Sequence, residues 1–406
     1  MTKSNRKKNI LRVIAVLILI ALISTPLIMR WLWGKVDHKP LSVFILDKTV
    51  LNTSYQEHLS LNWVLNHNKY VKSSGAFYTP EDDYYGFFPD GEGDYTIKDI
   101  EEFTDEELMA FADNYDMAYY TDLYGIYAVE WNNEYPEINP DVDPGRIGER
   151  SSLIYGGLTA NELGLLKAFK KQKKLIVNEF NIIAAPTSNK LRRAYEKEFN
   201  LKWSGWTGRY FDNLDTTINK ELPRWLINNY LTQNKNQWPF KNAGIAFVHT
   251  SDKVVILEKS THLEIEVPVI HTEEEFVDYY GVVEEMKYPF WFDIIETTDQ
   301  NQILSSYKIS SNEKGDSVLR KWNIPKEFPA VISSKEDYPF FYFAGDFADN
   351  PVSMKHAKFK YINQFGFLFY ESTVSERESF FWKFYQPLMK RIIDDYYQSN
   401  LDENTQ

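Results

Sequence analysis

The sequence predicts an α/β protein: one N-terminal membrane-spanning helix, then a mainly parallel sheet with added antiparallel strands. Three observations carry this. Between Arg12 and Arg30 no residue is charged. Apolar runs such as LSVFILD (Leu41–Asp47) and KLIVNEFNII are too continuous for a one-sided sheet and read as strands buried on both faces. An amphipathic helical pattern lies between two such runs, which is the signature of a parallel crossover.

The N-terminal segment comes first. Val13–Met29 spans about 26 Å as a helix, and Ile10, Leu11, Trp31, Leu32 and Trp33 extend it to bilayer thickness. We divide the chain into a basic tail (1–9), a membrane anchor (10–33), one elaborated α/β domain (34–398) and a polar, disordered tail (399–406). Lys3, Arg6, Lys7, Lys8 and Arg12 precede or open the anchor, and no acid does. Cations are retained on the cytoplasmic side, so the expectation is a single-pass cell-membrane protein with its N-terminus inside and its domain extracytoplasmic. The Trp pair is expected at headgroup level. A cleaved signal peptide is the competing reading, but Ala21-Leu22-Ile23 and Ile23-Ser24-Thr25 are poor cleavage triads.

Composition narrows the chemistry. The chain has no cysteine, so it has no thiol nucleophile, disulfide or thiolate metal site. The first 33 residues hold six basic residues and no acid. The rest therefore carries 39 basic against 58 acidic residues, a net charge of −19. Such a domain repels nucleic acid and anionic lipid headgroups. Neutral glycans, cations or other proteins are the expected partners.

Along the domain, Tyr55–Asn66 has helical spacing and MAYYTDLYG (Met117–Gly125) reads as a second strand. Gly75–Thr104, rich in Tyr, Asp, Gly and Pro, reads as a long loop. Ser152–Ile183 reads as strand, Gly-Gly turn, helix, strand, with Thr159 and Glu162 forming a capping box. GIAFVHTSDKVVILEK has the pattern of a hairpin, and PFFYFAGDFADN (Pro339–Asn350) that of a strand ending in acids. Phe359–Tyr370 is a strand pair or a short amphipathic segment. Glu378–Tyr397 reads as a closing helix interrupted near Pro387.

The unit LIYGGLTANELGLLKAFKKQKKLIV, within Ser152–Phe211, and the late strand FFYFAGDFAD together resemble the class I glutamine amidotransferase-like superfamily, in its ThuA-like, sugar-associated branch. The resemblance implies a flavodoxin- or Rossmann-like sheet with its site near the late strand. The chain departs from the amidotransferase pattern at the elbow, Tyr155-Gly156-Gly157, where the nucleophilic Cys is missing. Glutamine hydrolysis is excluded on that ground, and a shared fold does not supply another activity.

Parallel sheets bind ligands beyond the carboxyl ends of their strands. Polar residues that follow apolar runs are therefore the candidates: Asp47, Asp122, Glu179 with Asn181, and Asp346 with Asp349. Glu179 interrupts a run that should be buried, where a carboxylate is costly unless paired. It reads as an acid/base group or metal ligand, or as a partner of Arg192, Arg193 or Arg209. Asp346 and Asp349 have the oxygen-rich spacing that suits Ca²⁺ or Mg²⁺, or acid/base work as in glycoside hydrolysis. They equally suit an Asx-turn. The cluster Trp203, Trp206, Arg209 and Tyr210 suits a pyranose ring, or simply packs. The histidines are scattered, with no HxxxH or HxH pair for zinc. His58 reads as a helix-surface residue or a cleft residue.

The expectation is a membrane-anchored extracytoplasmic protein handling cell-envelope or extracellular glycan, with catalysis left open. A catalytic form, a carbohydrate-directed and metal-assisted hydrolase, requires Glu179, Asp346, Asp349 and Asp47 to converge in a cleft lined by Trp203, Trp206 and Tyr210. A non-catalytic glycan binder requires an aromatic groove without convergent carboxylates. A protein–protein scaffold requires a large exposed apolar patch.

Overall fold

The computed structural model describes residues 3–138, 149–371 and 373–403, with side chains from residue 9 to residue 402 of these. The chain opens with helix α1 (Lys3–Gly34), of which Asn9–Gly34 is long and apolar enough to cross a bilayer. Strand β1 (Lys39–Pro40) leads to the buried β2 (Val43–Asp47), helix α2 (Gln56–His67) and β3 (Tyr70–Val71). Strands β4 (Tyr85–Pro89) and β5 (Tyr95–Lys98) form a hairpin, and α3 (Asp105–Asp113) leads into β6 (Met117–Tyr120). Strand β7 (Ile126–Tyr127), α4 (Ala128–Glu134), β8 (Leu153–Tyr155), α5 (Ala160–Lys171), β9 (Leu175–Asn178), α6 (Asn189–Phe199) and the long β10 (Leu201–Phe211) follow.

The second half adds α7 (Arg224–Gln233), β11 (Gly244–His249), β12 (Val254–Glu258), β13 (Val269–Thr272), α8 (Glu274–Tyr280), β14 (Glu285–Lys287), β15 (Phe292–Thr297) and β16 (Asn301–Lys308). Helix α9 (Glu313–Trp322), β17 (Glu327–Ser334) and β18 (Phe340–Phe343) precede two 3-10 turns, His356–Lys358 and Ile362–Leu368. A continuous helical segment closes the chain: α10 (Glu378–Phe380), a π segment (Phe381–Tyr385) and α11 (Gln386–Glu403).

Ten strands form the main sheet, in the order β14-β13-β16-β17-β18-β9-β6-β2-β4-β5. From β18 to β4 every pairing is parallel. The antiparallel strands are added at both edges. The chain steps outward from β2 to β4, then returns to the other side of β2 at β6, so the topological switch lies between β2 and β6. Register aligns Leu46, Tyr120, Asn178 and Tyr342 in one row. Asp47, Thr121 and Glu179 come next, at the carboxyl ends. Period-two alternation puts Tyr119 on the face of Glu179 and Tyr120 on the opposite one. The contacts agree: Tyr119 meets Tyr385 of the closing helical segment, and Tyr120 bonds the Glu162 carbonyl of α5. A separate four-stranded antiparallel sheet, β12-β11-β10-β15, flanks this body.

Several expectations are corrected. Gly75–Thr104 is not one loop, because it carries β4 and β5 at the edge of the main sheet. Leu153–Tyr155 is not a central strand. It pairs with β7 in a two-stranded ribbon, and the crossover through α5 runs from β6 to β9. Tyr155-Gly156-Gly157 is therefore no elbow at the end of a core strand. Phe359–Tyr370 contains 3-10 helix and no strand. Helix α11 continues through Ser399–Glu403, within the segment read as a disordered tail. The interruption near Pro387 is a π segment just before it, which accommodates the missing N–H.

Candidate functional site

The carboxyl ends of the parallel strands place Asp47, Asp122, Glu179 and the loop after β18 together. That loop starts at Gly345, where any side chain would collide with the hydroxyls of Tyr307 and Tyr288. It carries Asp346 and Asp349. The first turn of α2 brings in Glu57, so carboxylate oxygens of Glu57, Asp346 and Asp349 all lie within 4.8 Å of one another. Arg377, just before α10, reaches into this group. Its Nη1 is 2.5 Å from Asp349 Oδ2 and 3.5 Å from Asp346 Oδ2, and its guanidinium lies 4.1 Å over the Phe290 ring. Gln56 donates to the other oxygen of Asp349.

Electrostatics set the protonation. Burial, then repulsion from Asp349, raises Asp346 to about 8 against the pull of Arg377. Burial, then Asp349 and Asp346, pushes Glu57 well up. Burial and Asp346 do the same to Asp122. Like charges this close cannot all ionise, so protons are retained in the cluster at neutral pH. The arrangement offers a proton donor at Asp346 beside the Asp349 carboxylate that pairs with Arg377, and that guanidinium can orient an oxygen-rich ligand. Glu57, Asp346 and Asp349 could hold a hard cation. In this geometry Arg377 already supplies the positive charge.

The sequence candidates divide. Asp346 and Asp349 are in the cluster. Glu179 is buried at its base, but its partners are not Arg192, Arg193 or Arg209. Oε1 accepts the Tyr119 hydroxyl, and Oε2 accepts the backbone N–H of Phe347 (3.2 Å) and Ala348 (3.0 Å). Burial raises Glu179 to about 8. It ties β9 to the acidic loop and is a positioning residue. Asp47 is also fully engaged. One oxygen accepts from Thr49 N–H and Oγ1, and the other lies 2.6 Å from His58 Nδ1. His58 is not on the helix surface. It is fully buried, and its Nε2 donates to the Pro80 carbonyl at 2.8 Å. The Asp47–His58 pair thus anchors α2, and with it Glu57, over the end of β2.

Asn181, with positive φ, links the acids: its backbone N–H donates to Asp293, and its side chain bonds Asp122. Trp203, Trp206 and Tyr210 do not line the cluster. They are 5–6% exposed and pack within the flanking sheet, where Trp203 Nε1 donates to the Trp206 carbonyl. Indoles large enough to stack on sugar are here spent on filling core volume. Arg209 alone of that group senses the site, through the field of Arg377 and Asp346. It pairs with Glu221 at 2.9 Å beside Trp291. Sequence reasoning missed Gln56, Glu57 and Arg377 as site residues. An acid in the first turn of the helix after β2 was a usable signal for Glu57. Arg377 sits in a polar stretch with no local pattern to mark it.

No family model matches the sequence, and no curated protein does. Two solved structures overlap it. A ThuA-like protein from Parabacteroides merdae shares 12% identity over 75% of this chain and 79% of its own, with a TM-score of 0.33. A ThuA-like protein from Bacteroides uniformis shares 9% identity over 77% and 84%, with a TM-score of 0.35. At these values no residue role passes from either structure to this chain.

Proposed function

We propose that this chain is a membrane-anchored, extracytoplasmic protein that binds glycan at the Glu57–Asp346–Asp349 cluster and hydrolyses it by carboxylate acid/base catalysis. The observation that supports the reading is the convergence of three carboxylates on one another, with a proton retained at Asp346. Glycoside hydrolysis needs one carboxyl that stays protonated near neutral pH to donate to the leaving oxygen, and one ionised carboxylate beside it. Asp346 is suited to the first role, and the second falls to Asp349, which pairs with the Arg377 guanidinium at 2.5 Å. Arg377 orients ring hydroxyls, while Glu179 and Asp47 hold the elements that carry the reacting groups. The cations that open α1, Lys3, Arg6, Lys7, Lys8 and Arg12, support the N-inside orientation.

The test is turnover of cell-envelope oligosaccharides by the detergent-solubilised full chain. Release of reducing ends that Asp346→Asn abolishes supports the reading. Glycan binding without turnover, undiminished in Asp346→Asn, would leave a binding module instead. No binding and no turnover across neutral and acidic glycans would remove both.

A further inference from the structure

Met29 closes the uncharged run of α1, and it is where the domain grips that helix. Its side chain is buried, and its carbonyl accepts a hydrogen bond from Lys360 N–H at 3.1 Å. One turn on, Trp33 Nε1 donates to the His67 carbonyl at 3.0 Å. The Trp33 ring stacks on Phe77 and carries Lys69 Nζ 3.4 Å above it. Trp33 is therefore clasped by the domain rather than given wholly to headgroups. These bonds make the junction a docked contact instead of a loose tether. The last turn of the span, Met29–Trp33, holds the segment beginning at Lys360 at the level of the membrane surface.

That segment has the chemistry of such a level. Gly366 presses on the Trp382 indole, where an added Cβ would come within 3.0 Å, and Ile362 is buried. This inward packing turns Tyr361, Phe367 and Leu368 outward, at 47, 62 and 65% exposure. Two adjacent large apolar side chains this exposed mark an interaction surface. From Pro351 to Tyr370 there is no acid, and Lys355, Lys358 and Lys360 supply three cations, in a domain whose net charge is −19. Aromatic and aliphatic tips preceded in the chain by three lysines, with Lys360 Nζ over the Tyr361 ring, beside the exit of a spanning helix, match the polar–apolar boundary of a bilayer with anionic headgroups.

We propose that Tyr361–Leu368 inserts into the headgroup region of the same bilayer that α1 crosses, as a second membrane contact that holds the domain against the surface. This rests on α1 being an uncleaved span and is independent of what the acidic cluster does.

The absence of native cysteine makes the test direct. Full chains carrying Phe367→Cys, Leu27→Cys or Ile218→Cys are labelled with an environment-sensitive fluorophore. They are reconstituted in phosphatidylcholine vesicles with or without phosphatidylglycerol, and quenched by nitroxide-bearing lipids. Leu27 reports the span, and Ile218, which is 65% exposed between β10 and α7, reports an ordinary exposed apolar site. The expected result is quenching at position 367 several-fold above position 218, approaching position 27 and increasing with phosphatidylglycerol. Leu368→Cys is the second reporter and should behave alike. Quenching at 27 with 367 and 368 at the level of 218 overturns the proposal while leaving the span intact. No quenching at 27 removes the span and the proposal together.

Discussion

Arg377 and Asp349 meet at 2.5 Å, which draws the start of the closing helical segment onto the loop after β18. Around that contact, Asp346 and Glu57 present further carboxylates that one guanidinium cannot fully neutralise. The local excess of negative charge governs most of what can be measured at this site.

Arg377→Ala should be strongly destabilising. Removing one partner of a buried pair leaves the other uncompensated and costs about 3–5 kcal/mol. Residual exposure of the guanidinium places this case at the lower end. The loss should be larger at pH 8 than at pH 6, since lower pH protonates Asp346 and relieves its repulsion of Asp349. Urea unfolding at the two pH values checks both the size and the sign.

Divalent cations should have little effect on the wild-type melting temperature, because Arg377 already pairs with Asp349 and lies 3.5 Å from Asp346. In Arg377→Ala the same carboxylates are left free to bind, and millimolar Ca²⁺ or Mg²⁺ should restore part of the lost stability through native-state binding. A clear wild-type shift that Glu57→Gln abolishes would instead assign the cluster a resident metal.

Stability should fall as pH rises from about 6.5 to 8. Asp346 and Glu179 titrate near 8 in the folded chain, against an ordinary range near 4. The folded state therefore binds more protons than the unfolded state in this window, and ∂ΔG/∂pH is negative. Buried His67, lowered to about 4 from an ordinary 6.5, acts in the opposite direction, but above pH 6.5 its contribution fades and one imidazole does not offset two carboxyls. Thermal unfolding across pH 5–9 should thus show a maximum on the acidic side of neutrality. Flat stability from 6.5 to 8 would contradict the retained protons.

Glu57→Gln should raise the melting temperature at pH 8 and leave it nearly unchanged at pH 5, where Glu57 already carries its proton in the folded state. Glycan turnover should fall about 10²–10⁴-fold if Glu57 takes part in proton transfer. A more stable but inactive variant would separate a functional carboxylate from a structural one.

Tyr119→Phe removes the hydroxyl that donates to Glu179 and meets Tyr385 at 2.8 Å. A buried carboxylate that loses a hydrogen bond should cost about 1–3 kcal/mol. It should also move Glu179 further up, because that bond holds it down. A double-mutant cycle with Glu179→Gln isolates the coupling, which should grow as pH rises through about 8 and Glu179 ionises.

Some features were legible because they are local. An uncharged apolar run, a Thr159–Glu162 capping box and the hairpin around Ser251-Asp252 each depend on neighbours within a few residues, and each is present as read. The acids at strand ends were found by the same logic, since a strand's last residue is visible from its own run. Leu153–Tyr155 was misread because an apolar triplet beside Gly-Gly looks alike in a core strand and in a surface ribbon.

By itself the sequence determined the apolar N-terminal helix, the mixed α/β class and the exclusion of thiol chemistry, all properties of composition and short-range period. Only the tertiary structure decided which polar residues meet. Gln56 and Asp349 lie 293 positions apart and touch because β2, β6, β9 and β18 are adjacent in the sheet. Tertiary packing also decided that Trp203 and Trp206 fill core volume, that Glu179 binds Tyr119 instead of an arginine, and that Phe367 and Leu368 face outward. Each outcome depends on strand order and on which face a side chain shares with distant neighbours, and no local pattern in the chain encodes that.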